Sequence, residues 1–554
     1  MIRIALMLAA LAAGAAHGAG LNDARGLVDG GRYAEAIAVY DSLLSGRPGD
    51  ADLLIEAARV NAWADRHGES ARLYRSAIDV APVRRPDIVL ALAWQLAWGG
   101  RSDEAISLFR EAAAVRPAQR AEALHGLAEA QAANAQLVDA LATYDLLAAD
   151  PNDLKAQLGA ARMLRWLDRH DAAAARYRSI LAAHPDASEA RLGLARSLNY
   201  SGRHLDAVTA YAVATADDAA LARQTRLERA TALRWAGLED LASQTLGDAA
   251  DTDAAPLRAR LAQETAHPLR VEYDAARDSD DLKVQALRLG WTRRLDAGRS
   301  VDVSARVARV EQYSDRVSGR ELLIRAGSRL GGPTRGLLWP SLTVGVRDYD
   351  GWQTGVWKLQ AKWLPADLWR VDFEAGNEVI ENVDALGEHV TLDAASASAD
   401  WQFAPRWRAT AGLAVLRFDD DNRRIRAVGR IEHVVRPAQP RLVLGAEAMG
   451  FNDAEPEIDR GYYNPARYRE WKGLARAEYE MAGWLLEARL ALGKLRETPG
   501  NDSGLYAWEV AATHDLTPML RLRLNAGGSD SGAFLATGSG YNRNTFGASL
   551  IAFH

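Results

Sequence analysis

The side chains best placed to do chemistry are charged residues that alternate with apolar residues through the second half of the chain. In the segment VWKLQAKWL, for example, Trp357 and Trp363 fall on one face of a strand, and Lys358 and Lys362 fall on the other. Such charges either pair across neighbouring strands and brace the interior, or offer hydrogen bonds to a polar chain. The candidate path positions are Arg288, Arg306, Arg347, Lys358, Arg370, Asp372, Glu374, Glu447, Arg476, Glu487, Glu509, Arg521 and Arg523. More of them are basic than acidic, which favours an anionic chain.

Motifs for covalent or metal chemistry are missing from the sequence. It has no nucleophile elbow, no H-E-x-x-H and no paired carboxylates beside a base. With no cysteine, disulfides, thiolate metal sites and a lipidated N-terminal cysteine are excluded. The acidic cluster Asp419, Asp420 and Asp421 lacks EF-hand spacing, so we expect a solvated loop there. We predict no catalytic residue, metal or cofactor, and an outer-membrane enzyme is the weakest hypothesis.

Charge and hydropathy narrow the possible partners. The formal net charge is −6 and no basic stripe dominates, which argues against nucleic acid. The mean hydropathy of −0.21 resembles that of a soluble protein. A barrel nevertheless carries its apolar residues at every second position, so this average does not exclude one.

The elements that must position the charges are strands. From residue 266 onward, about sixteen alternating segments are separated by turn residues, with short connections such as GGPT alternating with longer polar ones such as EQYSDRVSG and RDYDGWQ. Tryptophans cluster beside the short connections, as in an aromatic girdle. The pattern predicts a 16-stranded antiparallel transmembrane β-barrel over 266–554, surrounded by outer-membrane lipid and lipopolysaccharide, with a lumen wide enough for water.

The first half has a helical period. An aromatic residue recurs every 33 to 35 positions, four residues after a small one, and we predict that these rings pack between helices: Tyr40, Tyr74, Phe109, Tyr144, Tyr177 and Tyr211. A second aromatic column precedes them by eleven residues at Trp63, Trp98, Trp166 and Tyr200. These rings are either core residues or platforms for carbohydrate, and their periodicity favours core.

This pattern resembles the tetratricopeptide repeat, a helix pair of about 34 residues that stacks into a solenoid. The resemblance implies an α-solenoid over residues 19–265 that binds an extended ligand or a protein segment. Residues 1–18 have the cationic start, apolar run and small-residue end of a signal peptide. We therefore expect the repeats in the periplasm of a Gram-negative cell.

One segment, GYYNPARYREW, leads from the longest predicted loop into a strand. Asn464 and Pro465 favour a turn, and Tyr462, Tyr463 and Tyr468 around it are placed to present rings to a sugar. The segment is similar to one in YaiO-type barrels and in synthase-dependent polysaccharide exporters, among them the poly-N-acetylglucosamine porin. Those exporters also join tetratricopeptide repeats to a sixteen-stranded barrel. The resemblance implies outer-membrane export of an exopolysaccharide.

Two functions remain open at this stage. In the first, the barrel exports a polysaccharide while the repeats dock the polymer or a periplasmic protein partner. In the second, the barrel is a non-transporting anchor whose repeats recruit a periplasmic protein.

Overall fold

The computed structural model describes residues 20–247, 252–456, 460–498, 502–530 and 542–554. The predicted signal peptide, residues 1–18, lies outside the described residues. The chain forms two compact units, which divide between Leu198 and Asn199. No helix in the described ranges is long and apolar enough to cross a bilayer.

The first unit is a stack of helix pairs. Its helices, which continue to the start of the second unit, are α1 (Leu21–Asp29), α2 (Tyr33–Gly46), α3 (Ala51–Trp63), α4 (His67–Val80), α5 (Arg85–Trp98), α6 (Ser102–Val115), α7 (Arg120–Ala133), α8 (Leu137–Leu147), α9 (Leu154–Trp166), α10 (His170–Ala183) and α11 (Ser188–Tyr200). The 34-residue period therefore corresponds to one helix pair, as in tetratricopeptide repeats.

The recurrent aromatic of each second helix fills the space between pairs. All six predicted rings are buried, from Phe109 at 0% exposure to Tyr74 at 4%. At Phe109 and Tyr144, a glycine on the following helix makes room for the ring: a Cβ at Gly126 would lie 2.3 Å from the Phe109 ring, and one at Gly159 would lie 2.6 Å from Tyr144. Because that separation is below any real Cβ contact, the aromatic and the glycine specify each other.

The second aromatic column behaves differently from the first. Trp63, Trp98 and Trp166 retain 55%, 58% and 46% of their surface exposed, and Tyr200 is also exposed. The interpretation of this column as core is therefore wrong. Each of these residues is the last of its helix. At that position the next helix pair no longer covers the side chain.

The second unit begins with shorter helices and continues into a sheet. The helices are α12 (His204–Thr215), α13 (Ala219–Gln224), α14 (Arg226–Trp235), α15 (Glu239–Leu246) and α16 (Ala255–Thr265). The strands are β1 (Leu269–Asp278), β2 (Lys283–Arg294), β3 (Arg299–Gln312), β4 (Asp315–Ser328, continued by Leu330–Gly332), β5 (Gly336–Tyr349), β6 (Trp352–Ala366), β7 (Trp369–Val379), β8 (Thr391–Ala404), β9 (Trp407–Phe418), β10 (Arg423–Arg436), β11 (Arg441–Asp453), β12 (Arg467–Met481), β13 (Trp484–Thr498), β14 (Asp502–Thr517), β15 (Leu520–Ser529) and β16 (Arg543–Ala552).

These strands close into a barrel. Each pairs antiparallel with its neighbours, and β1 pairs with β16 from Leu269 opposite Ala552 to Asp278 opposite Arg543. The described chain thus confirms the predicted 16-stranded antiparallel barrel. Closure satisfies the backbone of every strand, which is the condition for a sheet to exist in lipid.

The connections differ from the prediction at one edge. EQYSDRVSG and RDYDGWQ were expected to be longer loops, but β3–β4 and β5–β6 are joined by two residues each, with Tyr313, Asp350 and Gly351 at positive φ. Pairing continues through the polar residues up to Gln312 opposite Asp315. These strands extend past the apolar band, and their polar ends have the composition of a loop. The sequence therefore predicted loops where the strands continue. The edge that carries connections 380–390, 454–466 and 530–542 is called the long-loop edge, and the opposite one the short-turn edge.

The two faces of the barrel wall differ in chemistry. The outward face is a band of exposed apolar side chains, including Leu289, Val346 and Leu413. Near the short-turn edge, Trp369 and Trp401 stack with ring centroids 5.3 Å apart, and both are about 40% exposed. This face is that of a lipid-facing barrel with an aromatic girdle.

Helices of the second unit pack on the short-turn edge. The carboxylate of Asp367, in the β6–β7 turn, accepts hydrogen bonds from the backbone N–H groups of Leu205 and Asp206 at 2.7 and 2.9 Å. It therefore caps α12 from another element. Arg329 pairs with Asp240 at 2.7 Å, and the side chain of Gln263 donates to the carbonyl of Pro518 at 2.8 Å. Helices α12, α15 and α16 are thus attached to the barrel at three separate places, Asp367, Arg329 and Pro518.

Candidate functional site: the barrel lumen

A chain of charges, buried except at Arg430, crosses the inner wall from β10 to β12. Arg430 donates to Glu447 at 2.6 Å, and the ammonium of Lys472 lies 2.8 Å from Glu447 and 2.6 Å from Glu470. Tyr468 completes the chain, because its hydroxyl donates to Glu470 at 2.9 Å. Strand register places these side chains opposite one another on one face of the sheet. Every carboxylate in the chain has a donor, which buried charges require.

A second group of charges lies on the wall formed by β2 to β5. Glu321, only 7% exposed at its side chain, accepts from Arg347 at 2.6 Å and lies 3.5 Å from Arg288. Next to it, Arg306 binds Glu381 with two hydrogen bonds, one of them 2.9 Å long. Glu381 is not a wall residue but comes from the β7–β8 connection. The charged wall therefore also holds a loop.

The other candidate path residues are paired as well. The pairs are Lys358 with Glu374 at 3.0 Å, Arg370 with Asp372 at 2.7 Å, Arg476 with Glu478 at 3.5 Å, Arg523 with Glu487 at 3.5 Å, Glu509 with Arg489 at 3.4 Å, and Arg521 with Asp515 at 2.6 Å. Each sequence-derived position thus carries an ion pair, which joins neighbouring strands in some cases and lies within one strand or skips a strand in others.

The sequence analysis missed several members of this network. Glu470 and Lys472 alternate with Trp471, so the period-2 pattern was sufficient to find them. Glu321 follows a segment predicted to be a loop, and Glu381 lies in a true loop, where no periodicity applies. Because three of these four residues are acidic, the wall has both signs in paired form, and the predicted bias toward an anionic chain does not hold.

The connection between β7 and β8 folds into the lumen at the long-loop edge. It contains a short helix, α17 (Val383–Gly387), whose first turn is capped by the side chain of Asn382 through the N–H of Ala385 at 2.7 Å. Ile380, Ala385, Leu386 and Val390 are all buried. Residues 380–390 are called the plug segment.

Apolar contacts hold the plug segment on several sides. Leu386 packs with inward-facing residues of β2, β3 and β5, and Ile380 and Ala385 pack with those of β8 and β9. The wall residues in these clusters are Leu282, Val284, Val310, Tyr349, Leu392, Leu416 and Phe418. The interior is therefore apolar and packed at this end, whereas it is charged further along the strands.

Polar contacts fix the orientation of the plug segment. Besides its bonds to Arg306, Glu381 accepts from the hydroxyl of Tyr349 at 2.7 Å. Burial raises the pKa of Glu381, but the hydrogen bonds and charge of Arg306 outweigh burial and lower it below the ordinary value. Glu381 thus remains ionised and holds the segment to the wall. On the opposite side, the side chain of Asn382 donates to the carbonyl of Gly461 at 2.5 Å.

The tyrosine motif lies against this packed end. Tyr462 and Tyr468 are 7% and 0% exposed, whereas the sequence analysis placed their rings at the surface for a sugar. Tyr462 stacks on Phe418 at 4.4 Å and donates to Asp420 at 2.7 Å, and Tyr468, which is in β12 and not in the loop, stacks on Phe451 at 4.8 Å. Burial raises the pKa of Tyr462, so its hydroxyl stays protonated. Packing against the lumen wall explains the burial.

Tyr463 and the turn after it complete this end. Tyr463 contacts Phe451 and Tyr468 edge to face, and its hydroxyl donates to Glu497. Asn464 and Pro465 follow in the connection that precedes β12. The motif closes the long-loop end from the side of β10 to β13.

No group of three His, Asp or Glu side chains placed to hold a metal occurs in the described ranges. In the acidic loop, Asp419 pairs with Arg460 at 2.9 Å and Asp420 accepts from Tyr462. These carboxylates orient the connection 460–466 over the plug segment.

Comparisons with known proteins give distant structural similarity. A bacterial polysaccharide outer membrane secretin shares 13% identity and a TM-score of 0.43, over 52% of this chain and 98% of that one. A repeat protein from Cytophaga hutchinsonii, of which the C-terminal part was solved, shares 12% identity and a TM-score of 0.37, over 43% and 98%. YrrB, a TPR protein with an unusual peptide-binding site, shares 19% identity and a TM-score of 0.28, over 31% and 87%. No family model and no curated protein matches the sequence. At these TM-scores the similarities carry no functional argument.

Proposed function

We propose that this protein conducts a polysaccharide chain outward across the outer membrane, and that the plug segment closes the path until it moves. The short-turn edge and helices α12–α16 then face the periplasm, as the short turns of outer-membrane barrels do. The proposal assigns the protein no chemical step. The observation that carries it is that a loop, and not the barrel wall, fills the long-loop end of the lumen.

A lumen closed by a segment that can move away is able to conduct a chain, whereas a lumen filled by wall side chains is not. Sixteen strands enclose more space than their own side chains occupy. The plug segment is joined to the wall by one ion pair to Arg306, a few hydrogen bonds and apolar contacts. Its displacement breaks no strand pairing, because β7 ends at Val379 and β8 begins at Thr391.

The paired charges of the wall suit a sliding polar polymer. An unpaired cation or anion in the lumen would trap a chain of opposite sign, and conduction requires binding that is weak at many sites. Pairs such as Lys358 with Glu374 and Arg523 with Glu487 leave hydrogen-bonding capacity without a strong local field. The wall therefore accepts sugar hydroxyls without selecting a strongly charged chain.

The test is the conductance of the purified full-length protein in planar bilayers. In the test variant, residues 383–387 are replaced by an equally long Gly-Ser segment. We expect low conductance for the wild type, and a large increase for the variant that falls again when an exopolysaccharide is added on the short-turn side. The matched control is Tyr313→Asn with Ser314→Gly, which alters a connection at the same edge that lies outside the plug segment and should behave as wild type.

The alternative is a non-transporting anchor whose repeats recruit a periplasmic protein. It is favoured by the contacts of α12, α15 and α16 with the barrel, which attach these helices of the second unit to it at three places. A plug variant that conducts no more than the wild type, or whose conductance no polymer reduces, would support the anchor and contradict export.

A further inference from the structure

The first unit carries exposed tryptophans at one position of its repeat. Trp63, Trp98 and Trp166 end α3, α5 and α9, which are the first helices of their pairs, and each ring is about half exposed. Each ring also has a neighbour in its own unit: Trp63 lies 6.1 Å from Tyr33, Trp98 stacks on Trp94 at 5.2 Å, and the guanidinium of Arg162 lies 5.9 Å over the ring of Trp166. A helical repeat protein gains nothing in folding from leaving its largest apolar side chains in water.

The same turn follows each ring and fixes its direction. The backbone N–H of the third residue after the tryptophan donates to the carbonyl of the second residue before the tryptophan. These bonds run from Arg66 to Asn61 at 2.9 Å and from Arg101 to Leu96 at 2.8 Å. Arg169 bonds to Leu164 in the same way at 2.9 Å. The intervening residue has positive φ in all three turns, as in a Schellman cap. The rings therefore project from equivalent points of three turns with the same backbone.

An arginine accompanies each ring. Arg66, Arg101 and Arg169 stand three residues after Trp63, Trp98 and Trp166, and all three are exposed. The helix that ends at Ala133 lacks both features, because Ala133 stands at the position of the ring and Gln136 at the position of the arginine. Its turn is nevertheless the same, with the N–H of Gln136 bonded to Gln131 at 2.8 Å and Ala135 at φ +57°. The backbone of the turn is thus constant while its side chains vary: Arg32 occupies the arginine position without a ring at Asp29, and Trp235 has Leu238 in place of the arginine. The ring and the arginine occur together at Trp63, Trp98 and Trp166.

We propose that Trp63, Trp98 and Trp166, with Arg66, Arg101 and Arg169, form a binding stripe for an extended chain of pyranose sugars. The face of a pyranose ring is made of C–H groups that stack on an indole, and its hydroxyl or carboxylate oxygens accept from a guanidinium. Directly packed helices lie about 8–10 Å apart, and Trp63 and Trp98 end first helices with one second helix between them. Trp166 lies two repeats beyond Trp98, so only an extended chain reaches all three rings. This inference rests on the proposed function, since it names where the exported polymer is first held.

The pattern fits a periodic polymer better than a folded protein. Tryptophan and arginine also dominate protein interfaces, but there they cluster at the centre of one continuous, water-excluding patch. Here the second residue after each ring is an exposed aspartate or glycine: Asp65 after Trp63, Gly100 after Trp98 and Asp168 after Trp166. The stripe therefore consists of separate platforms, one per ring-bearing repeat, which a polymer of repeating sugars can engage in turn.

The test measures binding of labelled hexasaccharides to the full-length protein in detergent by fluorescence anisotropy. Three probes separate the classes of sugar: cellohexaose is neutral, hexamannuronate is anionic and partly deacetylated chitohexaose is cationic. For at least one probe, we expect the triple variant Trp63→Ala, Trp98→Ala, Trp166→Ala to raise the Kd roughly tenfold or more. The control, Val83→Ala with Val138→Ala, removes exposed apolar groups of the same unit and should leave the Kd unchanged.

A gain-of-function variant protects the test against misfolding. Ala133→Trp with Gln136→Arg restores the missing platform on a turn that already has the required geometry, and should lower the Kd several-fold. Failure of all three probes to bind, an unchanged Kd in the triple variant, or no gain with Ala133→Trp would each overturn the inference. Conductance of the plug variant is measured separately, so a stripe that binds no sugar in a protein that still passes polymer removes the stripe and leaves export standing.

Discussion

The interior of the barrel is apolar at its long-loop end and charged further along the strands. At the long-loop end, wall residues such as Val310 and Leu416 pack against the plug segment, and the interior is apolar and packed. Further along the strands, the wall carries ion pairs such as Lys472 with Glu470. Tyr468 lies where the two regions meet, with its ring stacked on Phe451 and its hydroxyl bonded to Glu470.

This difference corresponds to two roles: the apolar end closes the path, and the charged wall lines it. Apolar packing holds the plug segment through many weak contacts that are lost together when it moves. Ion pairs within the wall stay in place, because both partners belong to strands. The same barrel therefore combines a releasable end with a permanent polar surface.

The largest expected effect comes from breaking the polar wall at Lys472. Lys472→Met removes the cation between Glu447 and Glu470, whose side chains are 7% and 1% exposed. Glu447 keeps its ion pair with Arg430, whereas Glu470 loses the ammonium 2.6 Å away and keeps the hydrogen bond from Tyr468. Removing one partner of a buried pair costs about 3–5 kcal/mol. We expect a marked fall in the thermal unfolding temperature of the barrel, followed by circular dichroism at the β-sheet band.

The matched control is Lys494→Met, which removes an exposed lysine from the neighbouring strand β13. It should leave the unfolding temperature nearly unchanged. If the two variants unfold at the same temperature, the charge chain from Arg430 to Tyr468 does not stabilise the wall, and the contrast between the two regions is lost.

The closed end is tested by Gly461→Ala. Gly461 has φ +74°, and an added Cβ would lie 2.5 Å from Cβ of Asp384 and 2.6 Å from the backbone nitrogen of Ala385. The strained backbone alone costs about 1–3 kcal/mol. We expect faster hydrogen exchange of the plug segment and a higher conductance, with the rest of the barrel intact. Gly504→Ala, where nothing lies within 4 Å of the added Cβ, should change neither measurement.

The sequence was sufficient to predict the polar wall but not the closed end. Period-2 alternation places Arg430 and Glu447 on one face whatever the loops do, and the register confirms it. The plug segment has no period, because its burial depends on contacts with at least five separate strands. The same limit applies to Trp63: a 34-residue period shows that positions are equivalent, but not whether the next helix covers them.

A smaller effect is expected at the short-turn edge, from Asp367→Ala. This change removes the carboxylate that accepts from the N–H groups of Leu205 and Asp206. Losing a helix cap costs about 1 kcal/mol. We expect faster hydrogen exchange in residues 204–215 while the unfolding temperature of the barrel holds. Asp296→Ala, which affects only its own turn at the same edge, is the control, and equal exchange in both variants would contradict attachment through Asp367.

The smallest effect is a pH dependence of the same helix. His204, partly buried with its ring 5.1 Å from that of Trp235, has its pKa lowered by burial to about 4, from an ordinary value of 6.5. Above pH 6.5 the ring is neutral whether α12 is packed or released, so the packed state is fully stable there. As the pH falls from 6.5 toward 4, the released state takes up the proton first, and the packed state loses stability. His204 is near the helix end and can swing outward, which limits the loss of stability.

Hydrogen exchange in residues 204–215 should therefore accelerate modestly as the pH falls from 6.5 toward 4 in the wild type. It should not accelerate in His204→Phe, which keeps the ring contact and cannot be protonated. If His204→Phe shows the same acceleration as the wild type, the pH response comes from another group, and the short-turn edge responds to acid through its carboxylates instead.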